Sequence, residues 1–203
     1  MVNESERCVT SVIYIDDEPD LLEVTAEYLK FKGKFNVDTA VSARLALEKM
    51  KEKRYDAIIS DYQMPGMNGI ELLKTIRFTN PSIPFIIFTG RGREEVAIEA
   101  FESGADFYLQ KGGDPRSQYS ELIHKINQAI RRKEAEEALV ESEERYRNVV
   151  EAQTELICRF TPDGTHIFVN EAYCRYFDIR REDIIGRKYV PNNIFTSDIE
   201  ITA

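Results

Sequence analysis

Val12-Ile13-Tyr14-Ile15-Asp16-Asp17-Glu18 is a short run, apolar on both faces, that ends abruptly in acid. Three other stretches have the same make-up: Ala57-Ile58-Ile59-Ser60-Asp61, Phe85-Ile86-Ile87-Phe88-Thr89-Gly90 and, more weakly, Phe107-Tyr108-Leu109-Gln110-Lys111-Gly112-Gly113. Strands read this way when helices cover a parallel sheet on both sides, because neither face meets water. Val37-Asp38-Thr39-Ala40 supplies a fifth strand.

Helical spacing fills the gaps. Leu22, Ala26 and Leu29 form one apolar stripe; Ala43, Ala46, Leu47 and Met50 form a second behind Ser42, which is placed to cap it. Leu72, Leu73 and Ile76 form a third, and Ala97, Ala100 and Phe101 a fourth, with Gly104 as its stop signal. Alternation of this kind implies right-handed crossovers and an α/β fold with a doubly wound five-stranded parallel sheet.

Composition narrows the class. The chain has 203 residues, 42% hydrophobic and 31% charged, which suits one or two soluble globular domains and excludes wholesale disorder. Asp and Glu number 36 against 27 Lys and Arg, a formal charge of −9, which argues against nucleic-acid partners and against an acidic membrane surface. The start, Met1 to Arg7, lacks the basic and apolar regions of a secretory signal, and no apolar stretch is long enough to span a bilayer. Three cysteines, Cys8, Cys158 and Cys174, make no disulfide framework and no zinc motif. A cytoplasmic protein is expected.

In a parallel sheet every carboxyl end lies on one edge, where ligands bind. Asp16, Asp17 and Glu18, Asp61, Thr89 and Lys111 should therefore converge from four distant parts of the chain. Two carboxylates roughly 5 Å apart repel by about 3 kcal/mol at an effective dielectric of about 20, so a cation must offset them. Hard oxygen ligands with room for water suit Mg²⁺. Lys111 adds a positive charge and Thr89 a hydroxyl donor, a set able to stabilise a transferring phosphoryl group while one carboxylate acts as nucleophile.

Asp16-Asp17, Asp61, Thr89 and Lys111, in this order and on these strand ends, resemble the active site of two-component response-regulator receiver domains, a flavodoxin-like fold. Asp61-Tyr62-Gln63-Met64-Pro65-Gly66-Met67-Asn68-Gly69 is similar to that family's signature after the phosphoacceptor. The resemblance implies that Asp61 accepts a phosphoryl group from a phosphohistidine on a histidine kinase or phosphotransfer partner. It implies a Mg²⁺ site in which Asp17 is a direct ligand, Asp16 acts largely through water, and Asp61 and the Gln63 backbone carbonyl take part. Thr89 and Tyr108 would be the switch residues, Thr89 moving toward the phosphate and Tyr108 rotating inward, while Lys111 pairs with Asp61 or its phosphate. The chain departs from the family in one respect: Gly112-Gly113 follows the lysine where a proline is usual.

The receiver-like part is placed at residues 8–132, followed by a helical linker at 133–152. Ser120 to about Ala152 reads as one helix, with an apolar seam at Ile123, Ile126 and Ile130 that resumes at Ala135, Leu139, Ser142, Tyr146 and Val149. Its spacing suggests a coiled coil and a homodimer, with a single bridging helix as the alternative. From residue 153 the pattern changes. Leu156 to Phe160 and Thr165 to Val169 flank Pro162-Asp163-Gly164, a hairpin signal, and Asn170-Glu171-Ala172 opens a helix. Glu143 to Tyr189 resembles the amino-terminal half of a PAS sensor domain, so 153–203 is expected to be a partial α+β PAS-like unit and the chain a fragment of something longer.

Two other functions compete. A Mg²⁺-dependent phosphatase would use an Asp nucleophile, but Asp61-Tyr62-Gln63 lacks a second acid to serve as general acid. A histidine kinase needs a phosphoacceptor histidine; His124-Lys125-Ile126-Asn127 lacks the acid and proline expected after one, although a larger hybrid sensor kinase could carry the missing parts.

Overall fold

The computed structural model describes residues 9–90 and 94–188. Cys8, Arg91, Arg93 and the stretch from Tyr189 to Ala203 lie outside the described residues. The chain divides into two compact units, Met1–Glu136 and Glu137–Ala203.

The first unit holds strands β1 (Ser11–Ile15), β2 (Asn36–Ala40), β3 (Ala57–Ser60), β4 (Phe85–Thr89) and β5 (Phe107–Gln110), all parallel, in the order β2-β1-β3-β4-β5. Between them run α1 (Pro19–Gly33), α2 (Ala43–Glu52), α3 (Gly69–Thr79) and α4 (Glu94–Glu102). This is the doubly wound flavodoxin-like arrangement expected from the sequence, followed by a long helix. Ser42 caps α2 through Leu45 N–H, and Asn68 forms a capping box with Glu71 at the start of α3.

Side-chain alternation along the strands divides the core in two. Ile13, Ile15, Ile58, Phe85 and Ile87 face α2, α3 and α4; Val12, Tyr14, Ile59, Ile86 and Phe88 face α1 and the long helix α5 (Pro115–Glu151). The predicted stripes of α1 and α3 are buried, each fully covered Leu or Ile contributing about 1.5–3 kcal/mol. The fourth stripe is corrected in part: Ala100 is buried, but Phe101 is 54% exposed, and Val96 packs on the core in its place.

Helix α5 spans Pro115–Glu151, beginning five residues before the expected Ser120. Asp114 accepts from Ser117 N–H at 2.9 Å and Pro115 takes the first helical position, where its missing N–H costs nothing. Leu122 and Ile126 are buried in the core on the α1 side of the sheet and Ala129 is buried as well, whereas Leu139, Tyr146 and Val149 are exposed.

In the second unit β6 (Cys158–Phe160) and β7 (His166–Val169) form an antiparallel hairpin, with α6 (Glu171–Phe177) and α7 (Arg181–Ile184) behind it. The strands are shorter than expected. Ile157 N–H bonds to Asn170 Oδ1 instead of entering the ladder, and the register shifts between Arg159 and Phe160. Asn170, fully buried, caps α6 and also donates to the carbonyls of Val150 and Glu155. No helix among the described residues is long and apolar enough to cross a membrane.

Candidate functional site

Strand order reverses between β1 and β3, and there the crevice at a parallel sheet's carboxyl edge opens. Asp16 follows β1 and Asp61 follows β3. The backbone fixes both: Asp16 N–H donates to Ala40 O at 3.1 Å and Asp61 N–H to Ile15 O at 2.7 Å. Lys111 follows β5, its N–H bonded to Thr89 O at 2.7 Å. Gly69 lets the α3 start close over the site, since a Cβ there would lie 2.3 Å from the Asp61 carbonyl oxygen.

The Lys111 ammonium joins the two carboxylates. Its Nζ donates to Asp61 Oδ1 at 2.8 Å and to Asp16 Oδ2 at 2.5 Å. Asp61 is 6% exposed and Asp16 1%. Gln63 N–H donates to Asp61 Oδ2 at 2.6 Å, and Glu18 N–H to Asp16 Oδ1 at 3.0 Å. One cation shared by two buried anions leaves a net negative charge. Burial raises the Asp61 carboxyl above its ordinary value; Lys111 pulls it back and the Asp16 charge adds to the rise. Burial alone would lower the Lys111 ammonium, but its bonds to Asp16 and Asp61 outweigh that and hold it above its ordinary value.

A cavity of about 630 Å³ opens over this pair, lined among others by Asp17, Glu18, Asp61, Gln63, Thr89 and Lys111. Thr89 is buried at its wall, while Asp17 and Glu18 are exposed at its mouth. Tyr108 is half-buried on β5. Its hydroxyl is buried without a hydrogen-bond partner, and the phenol is pushed up by burial and then by Tyr62 and Asp61. An orphaned hydroxyl costs about 1–3 kcal/mol, so this side chain has reason to move.

The acids expected at this edge do line one cavity or share Lys111 there, but they form no tight cluster. Among the described residues no three acidic, histidine or cysteine side chains are close enough together to hold a metal ion. Lys111 stands between the two buried carboxylates, because two desolvated anions need a cation and the ammonium supplies one. The donor chemistry nonetheless fits Mg²⁺: hard carboxylate oxygens, excess negative charge and an open, solvated mouth. A contact missed from the sequence is the Tyr14 hydroxyl, which donates to Asp16 Oδ2 at 2.5 Å. The signal was present, since residues two apart on a strand share a face.

Comparison with known proteins agrees with this geometry. The model of the response regulator receiver domain matches residues 12–127. The response regulator SaeR of Staphylococcus aureus is 31% identical over 124 residues, covering 61% of this chain and 52% of that protein, so the chain spans about half the length of the curated relatives it matches. A receiver domain protein from Clostridium thermocellum is 32% identical, with a TM-score of 0.57, over 63% of this chain and 98% of that one. TrrA from Thermotoga maritima, solved in complex with Mg²⁺ and BeF, is 28% identical, with a TM-score of 0.53, over 60% of this chain and 99% of that one. By its matched sequence, its strand order and these likenesses, the chain belongs to the response regulator receiver domain family.

Proposed function

We propose that this protein is a signalling phosphoacceptor and that Asp61 is the residue modified. The observation that carries this reading is the buried Asp61 carboxylate, bonded to Lys111 at 2.8 Å beneath an open cavity at the sheet's switch point. A carboxylate oxygen of Asp61 attacks the phosphorus of a phosphohistidine on a partner kinase or phosphotransfer protein. The P–N bond breaks, the imidazole leaves, and an acyl phosphate forms; water later returns the carboxylate and inorganic phosphate. Lys111 offers its ammonium, and Thr89 its hydroxyl, to the phosphoryl oxygens.

Asp16, Asp17, Asp61 and the Gln63 carbonyl are the groups that would hold Mg²⁺, which when bound supplies further charge neutralisation at the phosphoryl group. Phosphorylation adds charge and acceptor oxygens at Asp61, and this biases Thr89 and the unpaired Tyr108 between two arrangements. Output then runs down α5, whose exposed Leu139, Tyr146 and Val149 pair two copies of the chain in a coiled coil, toward the PAS-like residues 153–203. In this reading residues 8–132 are the receiver domain and 133–152 the linker.

A phosphatase reading is distinguished by incubating the protein with p-nitrophenyl phosphate and Mg²⁺. The acceptor reading predicts no sustained release of nitrophenol. Continuous turnover lost in Asp61→Asn would make the protein an enzyme instead.

A further inference from the structure

The cavity is also lined by Tyr14 of β1, Thr25 of α1 and Tyr119 of α5. Tyr14 is fully buried on the α1 and α5 side of the sheet. Asp16 Oδ2 takes the Tyr14 hydroxyl and the Lys111 ammonium together, each at 2.5 Å. The phenol and the ammonium thus share one carboxylate oxygen, and whatever draws Lys111 toward Asp61 changes the charge that the Tyr14 hydroxyl meets there.

Thr25 of α1, 1% exposed, stands next in line. It lines the cavity together with Tyr14 and Tyr119, and its Oγ1 donates to the Tyr119 hydroxyl at 3.3 Å. A hydroxyl has one proton. The proton of Tyr14 goes to Asp16 and that of Thr25 to Tyr119, so a rotation of the Thr25 hydroxyl toward Tyr14 would exchange one tie for the other. Directed at Tyr14 it strengthens the bond to Asp16; directed at Tyr119 it ties α1 to α5. Tyr119 sits in the second turn of α5 and packs on Tyr28 of α1, ring centroids 4.9 Å apart, so the choice is made within a packed contact between the two helices. Discrete alternatives of this kind are what coupling between two sites requires.

We propose that Tyr14 is a positioning residue for Asp16 and that, through Thr25, it links the carboxylate site to the first turns of α5. The link rests on the acceptor reading of Asp61 and adds to it a path on the α1 and α5 side of the sheet, away from Thr89 and Tyr108.

The test is hydrogen exchange on the full chain with Mg²⁺ and fluoroberyllate, which stands in for the phosphoryl group. In the unaltered protein the amides of Gln118 to Leu122 change their exchange rate several-fold on fluoroberyllate uptake. In Thr25→Val and in Tyr119→Phe, which keep the shape of each side chain, uptake persists and the change at these amides is lost. In Tyr14→Phe the change is lost too, and Mg²⁺ alone binds several-fold more weakly than in the unaltered protein, an effect absent from Thr25→Val. A full response at α5 in the Thr25 and Tyr119 variants overturns the link, and unaltered Mg²⁺ affinity in Tyr14→Phe overturns the positioning role. An unaltered chain that takes up no fluoroberyllate removes the acceptor reading and the link together, an outcome separable from the other two.

Discussion

Lys111 bonds Asp61 at 2.8 Å with a nitrogen that the buried Asp16 carboxylate also holds. The lysine is 12% exposed at its side chain, so water screens these charges weakly. Removing the ammonium leaves two desolvated anions without a counter-charge. Lys111→Met is expected to destabilise the protein by about 3–5 kcal/mol in urea denaturation at neutral pH. Part of this loss should return in acid, where the carboxylates protonate. A loss that is small and independent of pH would contradict the shared ion pair.

Asp61→Asn is expected to do the opposite. Burial raises the Asp61 carboxyl in the folded chain above its ordinary value. Between those two values the folded chain keeps a proton that the unfolded chain has released, so stability falls as pH rises through the window. Above it the charged Asp61 is a cost, and the amide removes that cost while Lys111 keeps Asp16 as partner. We expect a gain on the order of 1 kcal/mol at neutral pH, shrinking as pH falls through the raised value toward the ordinary carboxylate range. Lys111 acts on the alkaline side: its stabilising contribution is whole below the ordinary lysine value and is lost as pH rises through its raised one. Thermal melts of both chains across this range check the sign, and an Asn variant less stable than its parent at neutral pH would refute it.

Mg²⁺ should raise the melting temperature, because the folded oxygen donors bind it and the unfolded chain does not; at 100 times its Kd the gain is about 2.7 kcal/mol. Asp17, at the cavity mouth, is exposed, whereas the other proposed carboxylate ligands, Asp16 and Asp61, are buried. Asp17→Asn should weaken the response and shift the Mg²⁺ midpoint upward. An unchanged midpoint would remove Asp17 from the ligand set.

Leu139, Tyr146 and Val149 lie exposed along one helix at coiled-coil spacing. Light scattering at rising protein concentration should show a dimer that Leu139→Glu disperses. A monomer at the highest concentration reached would exclude pairing through this helix.

The fold was legible because four of the five strands are short apolar runs punctuated by acid, hydroxyl, lysine or glycine. Asp16, Asp61, Thr89 and Lys111 were legible for the same reason, since a parallel sheet brings strand ends together whatever their sequence separation. What escaped was set by contacts that periodicity does not encode. The earlier start of α5 comes from Asp114 and Pro115, a cap that precedes the apolar seam and is not part of its spacing. Phe101 looked like a core residue by spacing, yet the helix turns Ala100 inward instead. The roles of Tyr14 and Thr25 depend on where hydroxyls meet across the α1 side of the sheet, and the sequence gives their face and not their partners.

Asp61 as phosphoryl acceptor is the central proposal. The direct measurement is the intact mass of the protein after incubation with acetyl phosphate and Mg²⁺, followed by borohydride reduction and peptide mapping. We expect one phosphoryl group per chain, located on Asp61 and absent from Asp61→Asn. Full labelling of the Asn variant, or a phosphoryl group mapped to another side chain, would contradict it.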